Sequence, residues 1–489
     1  MSEESLKNKT LKGIGWSSID SISQHIVAFI VGIILARLLS PDDYGLLGIV
    51  GIFTTICNTL IAGGFSVALI RKVDITEDDY NTCYIINLGM SIILYALIFL
   101  CAPLIARFFN RQELVAMSRI SSINMIIGAF AIVQQTRLTK RIDFKTQTKV
   151  TFTASVVSGI LGIIMAFLHF GVWALVLQGI ANQLIRTILL CLFNRWMPQM
   201  RFSIKSFHEL FGFGWKIMLS SFINTLWKDI YQVIIGKFYT PALLGQYTRA
   251  KNFSTLFSAN LTTVIQRVSY PVLSNIQNEP ERLITAYRKI IKMTMFVTFS
   301  CMFLLGAISK PLIYCLIGNK WNEAAEYLPW ICFIGVLYPL HSLNLNMLQI
   351  QGRSDIFLII EIIKKIISLG PIFVGAFIGI FPMLYLSTIT NIIAFFLNSY
   401  YTGKTMGYSS IKQLKDVAQS FIITFISAVL VYFLQFINCS YWLILPLQLV
   451  SYIGICFFAC YIFRHNEFFE IQNIFLSLAK KYLALWKNH

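Results

Sequence analysis

The chain has 489 residues, of which 56% are hydrophobic and only 13% charged, and its mean hydropathy is +0.69. Soluble domains carry about 25% charged residues, so an ordinary soluble protein is excluded and most side chains must face lipid or one another. The net charge of +18 does not make a nucleic-acid footprint, because Lys and Arg stand at the ends of apolar runs instead of forming one patch.

A membrane crossing needs about 20 apolar residues. Read with that ruler, the chain holds runs near 14–38, 46–70, 83–106, 115–136, 151–169 and 172–194. After a basic linker come 213–236, 252–273, 291–317, 327–350, 356–379, 382–402, 417–437 and 441–463. The expectation is therefore an all-α integral membrane protein with about 14 transmembrane helices. Its parts are a six-helix lobe over 1–194, a cytoplasmic linker over 195–212, a second six-helix lobe over 213–403, and two further helices with a tail over 404–489. The first run lacks a short apolar core with a cleavage site and reads as an uncleaved span.

One stretch is written twice. Gly13, Gly15 and Trp16 open the first copy, which turns at RLLSPDDYG; Gly212, Gly214 and Trp215 open the second, which turns at KFYTPALLG. Arg37 matches Lys237, Pro41 matches Pro241 and Gly45 matches Gly245. Duplication on this scale in a hydrophobic chain is the mark of a transporter built from two repeats. Six spans per repeat, an even number, make the halves parallel repeats about an axis along the membrane normal. Basic residues concentrate in 137–149, 195–216, 281–292 and around Lys480, Lys481 and Lys487, which puts both termini in the cytoplasm.

Charges at membrane depth are expensive, about 2.5–3.5 kcal/mol each on insertion scales, so they belong in a bundle interior or a wet cavity. The candidates are Asp20 and His25 in span 1, Arg119 in span 4, Arg186 in span 6, Lys228 with Asp229 in span 7, Arg267 in span 8 and Lys364 in span 11. Arg249 and Lys251 stand at the outer mouth of span 8. Ser17, Asp20, Ser21 and Gln24 share one face of span 1 at helical spacing. Arg119 and Arg267 are within snorkelling reach of an interface, and Glu361 with Lys365, four apart, fits a helix-surface ion pair. Arg186 and Lys228 are the hardest to place in lipid. A mainly cationic interior suits a phosphate or diphosphate group. Asp229, with Thr388 and Asn391 of span 12, is a candidate site for a coupling Na+ or for a proton.

No catalytic or metal signature is present. The ten cysteines stand singly without a CxxC spacing and read as small buried hydrophobes. GKT at 403–405 follows an apolar helix, and Asn398 stands where a phosphate-binding loop needs glycine. Energy for transport would then come from an ion gradient or the membrane potential, with no cofactor.

Several stretches carry a family resemblance: ILARLLSPDDYGL (34–46), ALIRKVDITEDDYN (68–81), APLIARFFN (102–110), FGVWALV (170–176), YPVLSNIQNEPERL (270–283), GNKW (318–321) and QGRSDIFLIIEIIKK (351–365). In these the chain resembles Wzx-type polysaccharide flippases, in the lipopolysaccharide, colanic acid and teichuronic acid exporter branch of the multidrug/oligosaccharidyl-lipid/polysaccharide superfamily. The resemblance implies two six-helix lobes in a V around a cavity lined by spans 1, 2, 7 and 8. It also implies a lipid-linked oligosaccharide substrate, on undecaprenyl diphosphate, moved across the bacterial inner membrane. The other partners to be expected are membrane lipids, a polysaccharide polymerase and export machinery, with no nucleic acid. A lipid II flippase or a multidrug exporter of the same superfamily are the alternatives; the latter should offer acidic groups to cationic drugs.

Overall fold

The computed structural model describes residues 23–473 other than 63 and 73, together with 476 and 477; of residues 260, 264, 267, 268 and 354 only the backbone is described. Every regular element among the described residues is helical. The chain divides into two compact units, Met1–Thr248 and Arg249–His489.

In the first unit the helices are α1 (Ser23–Leu38), α2 (Pro41–Ala62), α3 (Phe65–Arg71), α4 (Glu77–Phe109), α5 (Glu113–Ser121), α6 (Ile123–Lys140), α7 (Phe144–Phe167), α8 (Val172–Asn194) and α9 (Ile204–Phe238). α10 (Pro241–Asn275) begins here and continues into the second unit. Local chemistry starts these helices. Thr76 and Asp79 form a capping box at α4, Asp143 accepts the Thr146 amide at α7, and Ser203 accepts the Ser206 amide at α9. Each cap satisfies an amide that would otherwise lack a partner at a helix start.

The two copies of the repeated turn each start a helix with a hydroxyl cap, and the first copy adds a reciprocal bond. Ser40 exchanges hydrogen bonds with Asp43, Thr240 accepts from the Leu243 amide, and a proline follows each at the first helical position, where its missing N–H costs nothing. The shared pattern is Ser/Thr-Pro-x-x-x-Gly, and the two turns meet in space. A Cβ on Gly45 would strike the Pro241 carbonyl, and one on Gly245 would strike the Pro41 carbonyl. Backbone-to-backbone crossings of this kind need small residues.

Apolar clusters hold this unit together, one of them joining Ala131 and Leu138 of α6 to Val150 of α7 and Leu190 of α8. Val31 and Leu35 of α1, with Leu39 just beyond its end, pack with Ala166, Ala174 and Leu175. Cys57 and Ile61 of α2 meet Leu94 and Ile98 of α4 and Met125 of α6. Phe65 and Leu69 of α3 meet Tyr84, Val133 and Leu210 of α9.

The second unit contains α11 (Pro280–Ala307), α12 (Ser309–Leu316), α13 (Asn322–Gly335), α14 (Tyr338–Ile350), α15 (Ser354–Ile367), α16 (Leu369–Phe377), α17 (Ile380–Met406), α18 (Ser410–Tyr432) and α19 (Tyr441–Ile462). Phenylalanines four apart make its central seam. Phe299 stacks on Phe303 along α11, Phe421 stacks on Phe425 along α18, and the two pairs meet edge to face at 5.3–5.4 Å. Such contacts add about 0.5–1.5 kcal/mol each beyond area burial. α18, the first of the two further helices expected beyond the second lobe, thus packs against α11 within this unit.

Ten stretches among the described residues are long and apolar enough to cross a membrane, and α1 is a shorter apolar helix. Large apolar side chains stand outward on them, among them Leu100, Leu104, Leu192 and Val450, a surface suited to lipid rather than water. Five expected spans are interrupted: α2/α3 beside Gly64, α5/α6 at Ser122, α11/α12 at Ile308 between Gly306 and Ser309, α13/α14 between Gly335 and Pro339, and α15/α16 at Ser368. Glycine, proline and serine supply the break in each case. α9 and α10, 35 residues each, are long but too polar to be counted with the ten.

Candidate functional site

The polarity of α9 and α10 is concentrated in side chains that lipid would not accept. α9 carries Lys216, Ser221, Asn224, Thr225, Lys228, Asp229 and Gln232. Lys228 is exposed although it lies ten residues, about 15 Å at 1.5 Å per residue, from the Phe238 end of the helix. A lysine at that depth needs water or anions beside it. Asp229 is half-buried and accepts from Gln232 at 3.5 Å. In α10, Ser258 and Thr262 return their hydroxyls to carbonyls one turn back.

The other expected charges fall into distinct settings. Arg186 donates to Gln135 of α6 at 2.6 Å, inside a run of amides and hydroxyls. Asn182 donates to Ser158 at 3.0 Å and Asn194 to Gln134 at 2.7 Å. Arg119 lies 4.1 Å over the Phe99 ring and donates to the Phe99 carbonyl, so its guanidinium is engaged within the first unit. His25 is exposed on α1, and Lys251 is half-buried. Arg249 sits 5.8 Å over the buried Trp321 ring, which gives the GNKW stretch a packing role. Asp20, with the first Gly-x-Gly-Trp, lies outside the described residues, as does the side chain of Arg267.

One expectation is corrected. Glu361 pairs with Lys364, three residues on, and not with Lys365. Both spacings bring side chains onto one helix face; the α15 face carrying Lys364 also holds its ammonium near His341, which the polar interior favours.

His341 was not expected from the sequence, and it organises the polar interior of the second unit. Asn391 of α17 donates its amide to the Ile334 carbonyl at 2.5 Å, which turns its Oδ1 toward His341 Nε2 at 2.6 Å. Asn398, seven residues on, donates its amide to His341 Nδ1 at 2.9 Å. The imidazole therefore carries its proton on Nε2. Asn344 and the buried Gln413 exchange two hydrogen bonds of 3.0 Å between α14 and α18. Thr388, the other oxygen expected at a cation site, donates to the Leu384 carbonyl. A polar face at 341, 342, 344, 346 and 349 of an otherwise apolar span was the available signal.

The same unit has an apolar recess of about 230 Å³ lined by Met302, Phe303, Trp330, Phe333, Phe425 and Tyr432 among others. It offers no charged group to a phosphate.

At one end of the first unit, ion pairs tie the segment 195–209 to α4. Lys72 bridges Asp79 at 2.9 Å and Glu209 at 2.6 Å. Trp196 donates to Glu77, and the amides of Gln199 and Ser203 donate to Asn81 and Thr82. Burial pulls the Lys72 ammonium down, but the hydrogen bonds and charges of Glu209 and Asp79 prevail and raise it.

The chain is 26% identical over 354 residues to the teichuronic acid biosynthesis protein TuaB of Bacillus subtilis, covering 72% of this chain and 73% of that one. It is 24% identical over 377 residues to the lipopolysaccharide biosynthesis protein WzxC of Escherichia coli, covering 76% of each. Its fold is similar to that of the lipid II flippase MurJ in an inward closed conformation, with a TM-score of 0.72 at 17% identity over 91% of this chain and 98% of that chain. It is also similar to an inward-facing MATE multidrug transporter, with a TM-score of 0.60 at 17% identity over 81% of this chain and 98% of that chain. Residues 34–326, more than half of the chain and including the repeated turn, match a single family. The chain belongs to the family described as polysaccharide biosynthesis protein.

Proposed function

We propose that the protein is a flippase that carries an undecaprenyl-diphosphate-linked oligosaccharide, a repeat unit of O-antigen, capsule or exopolysaccharide, across the bacterial inner membrane by alternating access. The observation that carries this reading is membership of the polysaccharide biosynthesis family over residues 34–326. Its relatives TuaB and WzxC are named for teichuronic acid and lipopolysaccharide biosynthesis. The cationic groups at depth, Arg186 and Lys228, with Arg249 and Lys251 on α10, fit the chemistry of a diphosphate, which loses most of its hydration in a membrane unless protein and water replace it. Fourteen spans with both termini in the cytoplasm, and coupling to Na+ or H+, complete the reading. A polymerase and export machinery would take up the product on the far side.

Deletion of the gene should leave lipid-linked repeat units on the cytoplasmic leaflet, and purified protein in vesicles should restore their transfer. Transfer of the peptidoglycan precursor in place of the oligosaccharide would favour a lipid II flippase instead.

A further inference from the structure

His341 has the arrangement of a group built to gain and lose a proton. Its Nε2–H is committed to Asn391, whose orientation is set by the Ile334 carbonyl. Its Nδ1 lone pair is open to a proton only if the neighbour that now donates to it can become an acceptor. That neighbour is Asn398, which is wholly buried and whose own Oδ1 has no hydrogen-bond partner. Half a turn of the Asn398 amide would exchange donor for acceptor and bring this oxygen to Nδ1. In either orientation one atom of the Asn398 amide is left without a partner, so the amide's own hydrogen bonding does not lock one of them, as a two-state element requires.

The surroundings are consistent with this. From α15, Lys364 lies near the imidazole, where its charge works against protonation, and it is paired with Glu361. α17 contributes the uncharged Asn391 and Asn398, and α13 the Ile334 carbonyl. On α14 itself Ser342 is bonded to Gln266 of α10, and Asn344 is tied to Gln413 of α18. Protonation at Nδ1 therefore acts on a junction where α10, α13, α14, α15, α17 and α18 converge.

We propose that His341 is a reversible proton site, and that the proton it binds on one side of the membrane and releases on the other couples the transport cycle to the proton gradient. The step moves only a proton: Nδ1 takes it from water to give imidazolium, and returns it to water to restore the Nε2–H form. The coupling part of this inference rests on the flippase reading; the proton site does not.

The test uses the full-length protein in lipid nanodiscs with 15N-labelled histidine, of which the chain has six. On acidification from about pH 8 one imidazole should pass from the Nε2–H form to imidazolium, and its signals should vanish in His341→Gln. Asn398→Asp, which offers Nδ1 a permanent acceptor, should hold the imidazolium throughout. In vesicles, transfer driven by a proton gradient should fall in both variants to the rate measured without a gradient, with thermal stability kept near wild type. A His341 that stays neutral throughout, or a His341→Gln variant that keeps gradient-driven transfer, overturns the proposal. If His341 titrates but the wild-type protein moves no lipid-linked oligosaccharide, the functional reading fails and the proton site stands.

Discussion

Gly45 and Gly245, two hundred residues apart in the chain, occupy reciprocal positions in space: each lies so close to the proline that opens the other's helix that a Cβ would collide with that proline's carbonyl. The repeat visible in the sequence is thus a contact as well as a duplication. A Gly45→Ala or Gly245→Ala change should cost about 1–3 kcal/mol through overpacking. The double variant should cost less than the sum, because one displacement makes room for the other. Thermal unfolding in detergent measures all three; full additivity would mean that the two contacts are independent.

Arg186 and Lys228 test the cationic interior. Arg186→Gln or Lys228→Gln should abolish polysaccharide export while protein stays in the membrane at normal levels. Arg186→Lys should keep more activity than Gln but not all, because the guanidinium's two-pronged geometry is lost. Each charge-assisted bond to a phosphate is worth about 1.5–3 kcal/mol, or one to two orders of magnitude in affinity. Normal export by the doubly neutralised protein would make both charges structural.

Asp229 and His341 should part company. If the proton site is His341, Asp229→Asn retains gradient-driven transfer with unchanged ion dependence, whereas His341→Gln loses it. Loss of Na+ dependence in Asp229→Asn would instead place the coupling ion on α9.

The C-terminal helical turns should respond to acid. His465, only 1% exposed, meets Ser420 through Nε2 at 2.8 Å and accepts the Phe468 amide on Nδ1, while Glu470 and Glu467 pair with Lys289 and Lys292. Burial pushes the imidazole pKa down; Glu467 opposes this and Lys292 adds to it. The undocked segment therefore binds the proton more readily. Docking is complete above the ordinary histidine value of about 6.5 and is lost as pH falls through the lower docked value. Hydrogen-exchange protection at residues 466–473, corrected for the intrinsic rate, should fall as pH drops below about 6.5, and His465→Gln should remove that dependence.

Asp416 joins α18 to α11. It accepts two bonds of 2.8 Å from Arg288 and one of 2.7 Å from the Tyr408 hydroxyl. Arg288 is partly exposed, so solvent screening reduces the value of the pair. Asp416→Ala should cost about 1–3 kcal/mol, measured by thermal unfolding. An unchanged melting point would show that the α11–α18 phenylalanine seam carries the contact alone.

The sequence by itself determined the all-α membrane class, the repeated Pro41/Pro241 turn and the family. These depend on properties of single segments: hydropathy decides whether a helix belongs in lipid, and a hydroxyl followed by proline starts a helix wherever it stands. Only the tertiary structure decided which polar groups serve one another. His341 meets Asn391 and Asn398 across 50 and 57 residues, and Glu361 takes Lys364 in place of Lys365. The broken spans and the burial of α18 against α11 were settled at the same level. The reason is geometric. A buried polar group gains its stability from a partner within about 3 Å, and which partner comes that close depends on how each helix is rotated and tilted against its neighbours, which no single segment encodes.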